Sequence, residues 1–251
     1  MAKQKGIIKV NGTIGDITFY KSQDGYLVKE KSSIAASRIA NDPAFQRTRE
    51  NGNEFGRAGK AGKLLRDAVR NQLQNAKDNR LVSRLTTEML QVIKADATST
   101  RGQRNVIDGE TEMLEGFDFN INAKLGTTLF APYTATINRV TGELSVHIPA
   151  FIPANMIAAP AGTTHFKIVS AGAELDFENG TNVTDAKETP VLAWDTLATA
   201  VFDMVNTVTA NSTHPLFVLL GIQFYQDVNG IKYSLKNDAF NAFAIVKVEG
   251  V

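Results

Sequence analysis

The sequence predicts an α+β fold: an N-terminal β-meander and a helical hairpin, followed by a mainly antiparallel β-sandwich of immunoglobulin-like type. Three observations carry this reading. Short β-branched and aromatic runs separated by Gly/Asn/Asp turns fill residues 6–31. Apolar residues recur at helical spacing between about 42 and 94, and alternating short strands with turn signals occupy 113–251. The matching division is 1–33 for the β-meander, 34–105 for a basic helical region and 106–251 for an acidic β-sandwich.

In the first zone GIIKV, ITFYK and YLVKEK are separated by NGTIGD and SQDG, whose Gly, Asn and Asp favour turns. Two or three such strands bury too little apolar area to stand alone. The meander must therefore dock on the same chain or on the next subunit.

The second zone opens with Asp42, a capping residue, before Pro43, which suits a first helical position. At 100° per residue, Phe55, Ala58, Ala61, Gly62, Leu65, Ala68, Val69 and Leu73 share one side. Arg57, Lys60, Lys63, Arg66 and Arg70 fall mostly on the other, with Asp67 the main acidic interruption. Gly52, Gly56, Gly59 and Gly62 each cost about 1 kcal/mol relative to Ala in a helix. Close backbone approach is expected at 56–62, and a kink or late start near Gly52. Gly62 lies with the apolar residues, Gly56 and Gly59 with the basic ones. After NAKDN a second helix buries Leu81, Leu85, Met89, Val92 and Ile93, and the polar stretch 95–110 reads as a linker.

In the third zone Tyr133–Asn138 and Glu143–Ile148 alternate around RVTG, giving a hairpin. His165–Ser170 and Ala173–Phe177 read as short strands. Leu216–Gln226 and Ile231–Leu235 flank DVNG, the strongest hairpin signal in the chain, and Ala239–Val248 closes as a last strand.

Charge divides with the zones. Residues 1–105 carry 20 Lys+Arg against 10 Asp+Glu, and residues 106–251 carry 7 against 16. The basic and acidic surfaces can meet each other, another copy, or a polyanion. There is no cysteine, which excludes disulfides, zinc-thiolate sites and a thiol nucleophile. The start lacks the apolar run of a secretory signal, and LFVLLGI (216–222) is far short of the roughly 18 residues that span a bilayer. The N-x-T triplets at Asn11, Asn179, Asn182 and Asn211 then read as turn residues.

No motif names a reaction. Gly56–Lys63 invites a phosphate-loop reading, but the spacing has one residue too many and Leu64 stands where a magnesium-binding Ser or Thr is needed. His147, His165 and His214 sit in or beside predicted strands with no local ligand pair. Asp108, Glu110, Glu112, Glu115 and Asp118 alternate too briefly for a calcium loop and read as a solvated acidic face or a dock for the basic helix. No catalytic residue, metal or cofactor is assigned.

The strings KGIIKVNGTIGDITFYKSQDGYLVKEK and NDPAFQRTRENGNEFGRAGKAGKLLR resemble an uncharacterised family associated with Bacteroidetes genomes and their mobile elements. The resemblance covers mainly the first 100 residues. It implies a bacterial or phage-associated protein without a known catalytic activity, and carries no functional residue across.

The expectation is a non-enzymatic structural subunit that self-assembles into a virion part, tube or filament, with other copies of itself as partner. Its candidate contacts are Arg57, Lys60, Lys63, Arg66, Arg70, Gly56, Gly59 and Gly62. The alternative is a nucleic-acid-associated protein that holds phosphates on the same basic face. No membrane is expected, and synthesis is placed in the cytoplasm.

Overall fold

The computed structural model describes residues 2–31, 34–235 and 240–251. The expected start of the last strand at Ala239, and Ser33 at the first expected boundary, lie outside the described residues. Helices and several antiparallel sheets make the chain mixed α+β. It divides into two compact units, Met1–Glu50 and Asn51–Val251.

The first unit contains β1 (Ala2–Lys3), β2 (Gly12–Ile14), β3 (Ile17–Ser22) and β4 (Gly25–Glu30), antiparallel in the order β1-β4-β3-β2. The pairs Ile17↔Glu30, Phe19↔Val28 and Lys21↔Tyr26, with Ile14↔Ile17, put Ile14, Ile17, Phe19, Tyr26 and Val28 on one face. None of the described residues in this unit is buried. Helix α1 (Ala36–Asn41) follows, and the Asp42 carboxylate accepts from the Ala44 amide at 2.9 Å at the start of a one-turn 3-10 helix, Pro43–Phe45.

The long helix α2 (Gln46–Ala68) crosses the division and runs unbroken past Gly52, so the expected kink or late start does not occur. Its interior residues Ala58, Ala61, Gly62 and Leu65 are buried, and that burial outweighs the poor propensity of its glycines. The helix ends at Ala68, Val69 breaks it, and one turn, α3 (Arg70–Leu73), continues the stripe to Leu73. Helix α4 (Leu81–Ala95) buries Leu81, Leu85, Met89, Val92 and Ile93. Phe55 departs from the expected apolar side and is exposed.

The sheets of the second unit comprise β5 (Thr134–Asn138), β6 (Glu143–Ile148), β7 (His165–Asp176), β8 (Thr181–Glu188), β9 (Leu192–Ala193), β10 (Phe202–Thr207), β11 (Leu216–Val228), β12 (Ile231–Ser234) and β13 (Ala242–Glu249). Three form one sheet in the order β10-β6-β5. In the six-stranded sheet β7 and β11 pair along ten residues at the centre; β8 and β9 share the far edge of β7, and β13 and β12 that of β11.

The two expected strands at 165–177 are thus one continuous strand. From Val169 to Asp176 it is buried at every position, and β11 is buried from Leu216 to Phe224. Alternation sends the two parities to different layers. Ala171, Ala173, Leu175, Phe217 and Leu219 join the core formed by α2 and α4. Phe166, Ile168, Leu216, Val218, Leu220, Ile222 and Phe224 join Leu144, Val146, Ile148 and Met204 of the three-stranded sheet.

Residues 96–110 are not a free linker. Asp96, Gly102 and Val106 are buried, and the Asp96 carboxylate accepts from the amides of Thr98, Ser99 and Asn105 at 2.8, 2.9 and 3.1 Å.

Gly172 lies where the two sheets face each other: an added Cβ would come within 2.8 Å of Asn206 Cβ and 3.2 Å of Leu144 Cβ. Gly172→Ala is therefore expected to lower stability by about 1–3 kcal/mol. Urea denaturation reads this as a lower midpoint at unchanged slope; an unchanged midpoint would contradict the packing.

Candidate interface on the basic helix

The five cations expected on the face of α2 are used unequally. The Arg57 guanidinium donates to the carbonyls of Gly102 and Arg104 at 2.7 and 3.1 Å and to Gln103 Oε1 at 3.0 Å, clamping the turn that follows α4. Lys63 pairs with Asp67 one turn on. Arg66 Nε donates to the Gly62 carbonyl at 3.1 Å. Lys60 and Arg70 are exposed and have no hydrogen-bond or ion-pair partner among the described residues. Arg70 falls in α3, past the break at Val69.

The glycines divide as well. A Cβ on Gly62 would meet Leu85 Cγ at 3.4 Å and Met89 Cγ at 3.8 Å, so this position is where α2 and α4 come close. Around Gly56 and Gly59 a Cβ would meet nothing within 4 Å. No described residue comes that close.

The acidic series does not act as one face. Glu112 Oε1 accepts from the Gly250 amide at 2.7 Å, Glu115 Oε2 from the Val248 amide at 3.3 Å, and Asp118 Oδ1 from the Leu125 amide at 2.9 Å. Asp108 accepts from Asn105 Nδ2 at 2.7 Å. Three of these carboxylates thus hold backbone amides of other segments. Burial pushes the Asp118 carboxyl up.

His147 Nδ1 lies 2.6 Å from Asp203 Oδ1, both exposed at facing positions of β6 and β10. His165 Nδ1 lies 2.9 Å from Thr164 Oγ1, and His214 Nε2 3.9 Å from Asp176 Oδ2. Among the described residues no three His, Asp or Glu side chains are grouped to hold a metal ion. No helix of the described residues is long and apolar enough to cross a membrane.

Sequence reasoning missed the ion pairs that fix this region. Glu54, 2% exposed, accepts from Arg104 Nε at 2.8 Å and Nη2 at 3.1 Å and from the Gly102 amide at 2.8 Å. Arg84 pairs with Asp78 and donates to the carbonyls of Asp118 and Phe119 at 2.8 and 3.2 Å. Arg139 donates to Glu249 Oε1 and to the carbonyls of Ser212, His214, Glu249 and Gly250. The one local signal was Glu54 itself, an acid amid the basic residues of α2; its partner lies 50 residues away. No family model, no curated protein and no solved structure matches the chain.

Burial alone would raise Glu54, Asp78 and Asp96. Arg104 and the Gly102 amide outweigh it for Glu54, the Ile121 amide and Arg84 for Asp78, and the Ser99 and Asn105 amides for Asp96. All three carboxyls are held below the usual range, Asp96 furthest. Each is then harder to protonate folded than unfolded, so its contribution is present above about pH 4–4.5 and lost as pH falls through the folded values. Asp118 acts in the opposite sense, losing its contribution as pH rises. The sum expected is a urea midpoint that drops below about pH 4, less steeply in Asp96→Asn; a midpoint that rises on acidification would contradict it.

Proposed function

We propose that this chain is a non-enzymatic structural subunit that self-assembles into a virion part, tube or filament. The observation that carries this reading is the N-terminal unit, whose four strands place isoleucine, phenylalanine, tyrosine and valine on one face without burying any described residue. A single-layer sheet leaves such a face in water unless something covers it, and exposed apolar patches of this kind mark contact surfaces.

Gly56 and Gly59 support the same reading. They keep open space on α2 beside Lys60, where acidic groups of a neighbouring copy can approach. The acidic balance of residues 106–251 supplies the complementary charge. Contact between unlike surfaces closes into a ring or runs on as a filament. The finer fold reading, an immunoglobulin-like sandwich, belongs to this proposal: facing sheets recur as assembly modules, although fold alone does not set function. The phage-associated setting rests on the resemblance of the first 100 residues, and cytoplasmic synthesis goes with it.

The runner-up, a protein that holds nucleic-acid phosphates, is favoured by Lys60 and Arg70, which are exposed and make no hydrogen bond or ion pair among the described residues, although Asp67 lies within electrostatic reach of Arg70. A duplex-binding titration that stays flat at low salt overturns it.

Light scattering on nuclease-treated protein is expected to show large particles; a clean monomer at high concentration overturns the assembly reading. Gly59→Leu is expected to keep the circular-dichroism spectrum and thermal midpoint within about 1 kcal/mol of stability, since a Cβ there meets no described residue within 4 Å, while reducing particle mass. Particles of unchanged size would remove the basic helix face from the interface.

A further inference from the structure

Between β1 and β2 the chain forms a tip, Lys5-Gly6-Ile7-Ile8-Lys9. Ile7 is 102% and Ile8 83% exposed, far more than any packing role within the chain allows. The tip is nevertheless held at its base. Gln4 donates its backbone amide to the Tyr26 carbonyl at 2.9 Å, and its side chain reaches the Leu27 carbonyl at 3.1 Å. The same side-chain amide imitates a strand neighbour for Val10: Oε1 accepts from the Val10 amide at 2.9 Å, and Nε2 donates to the Val10 carbonyl at 3.2 Å. Lys9 Nζ donates to the Gln4 carbonyl at 2.5 Å and lies 5.8 Å from the centre of the Tyr26 ring. Two isoleucines flanked by lysines are thus presented on a braced loop, which lowers the ordering cost of inserting them into a partner.

The second unit contains a hollow of about 390 Å³ between α4 and residues 113–121. Met113, Phe117 and Ile121 line it, Met113 and Ile121 being about half exposed. Glu88, Glu115 and Asp118 stand among them. Glu88 has no partner among the described residues, and Glu115 and Asp118 each engage a single backbone amide through one oxygen. Arg84 also faces the hollow, but its charge is committed to Asp78 and two carbonyls. Lys124 is the other cation of the lining. Charge distinguishes this hollow from its neighbours. The one beside Phe177 carries Arg57 and Lys60 against Glu178, and the one beside Phe55 carries Lys94 and Arg101 with Glu54 already paired to Arg104, so neither presents the acidic excess that lysines would seek.

We propose that the Lys5–Lys9 tip of one copy inserts Ile7 and Ile8 between Met113, Phe117 and Ile121 of a second copy, with Lys5 and Lys9 facing Glu88 and Glu115. The occupant is a second copy of this chain. Tip and hollow are different surfaces, so the contact is head-to-tail and leaves one of each unfilled at the ends. This inference rests on the self-assembly reading and names the surfaces it uses.

The test uses two full-length variants, each of which removes one surface. Ile7→Asp/Ile8→Asp disables the tip at exposed positions, and Glu88→Lys/Met113→Asp disables the hollow without touching a carboxylate that holds a backbone amide. Sedimentation velocity on each variant alone is expected to show monomer, a loss of more than about 30-fold in self-association. Circular dichroism should match the original chain. Mixed one to one, the two variants retain one intact tip and one intact hollow, and are expected to form a dimer and nothing larger. If the original chain is itself monomeric, the self-assembly reading falls. If it assembles and either variant assembles equally well, or the mixture stays monomeric, this contact is wrong while assembly stands. A Gln4→Ala variant, which releases the base of the tip, is expected to weaken association less than the loss of both isoleucines; a loss as large would place the contact elsewhere in the loop.

Discussion

Strands β7 and β11 are buried on both faces, and the rest of the second unit follows from that. An antiparallel sheet usually leaves one face to water, and its strands then alternate apolar and polar. Here both parities of β11 from Leu216 to Phe224 are apolar or closely packed, so each face needs its own covering layer. The α2/α4 pair supplies one and the sheet of β5, β6 and β10 the other. Some polar groups caught in the middle are matched: Glu174 accepts from Ser212 Oγ at 2.7 Å and the Thr209 amide at 3.1 Å, and Asn206 Nδ2 donates to Ser170 Oγ at 2.7 Å, whereas Asn206 Oδ1 is buried without a partner among the described residues.

The same constraint decides what the charges do. Once the helices lie against the sheet, Arg57, Arg84 and Arg104 face backbone carbonyls and carboxylates of the turns that join the layers. Three prominent arginines of the basic half are therefore structural clamps. Glu112 and Glu115 likewise hold amides at the end of β13. Part of the charge that a count by halves assigns to the surface is thus committed within the chain; Lys60, Arg70 and Glu88 are among the charged side chains without a hydrogen-bond or ion-pair partner among the described residues. Among its described residues the N-terminal unit has no such core. Its lysines stack on Tyr20 and Tyr26 at 5.5–5.8 Å while its isoleucines face outward.

Much of the fold was legible where a local signal was strong. DVNG is a two-residue turn with Asn229 and Gly230 at φ 55° and 83°, and Val228↔Ile231 pair across it as Asn-Gly chemistry requires. The apolar members of the α4 stripe were legible from their even spacing, whereas buried Thr86, whose hydroxyl donates to the Val82 carbonyl, was not. β8 and β10 were not read. TNVTDAKE is an edge strand whose polar residues face water, so its alternation carries no apolar period. The run Ser170-Ala-Gly-Ala173 breaks β7 by propensity, yet Gly172 is what fits beneath Asn206 and Leu144, while Ala171 and Ala173 pack on the helix side. The candidate interface was half legible: helical spacing gathered the five cations on one face, but partners 45–50 residues away, such as Gly102 and Arg104, left no trace near Arg57 or Glu54. The linker reading of 95–110 failed for the same reason, since its polar residues serve as turn caps rather than as solvated spacer.

If the N-terminal unit is completed by other copies, its backbone protection must depend on concentration while that of the central sheet does not. Hydrogen exchange followed by mass spectrometry, at a dilution where scattering reports monomer and at one where it reports particles, measures this directly. The amides of residues 12–30 are expected to exchange quickly in the dilute sample and to slow by at least about tenfold on assembly, with β7 and β11 protected in both. Full protection of residues 12–30 in the monomer would show that the chain completes its own sheet, and would contradict an assembly built through it.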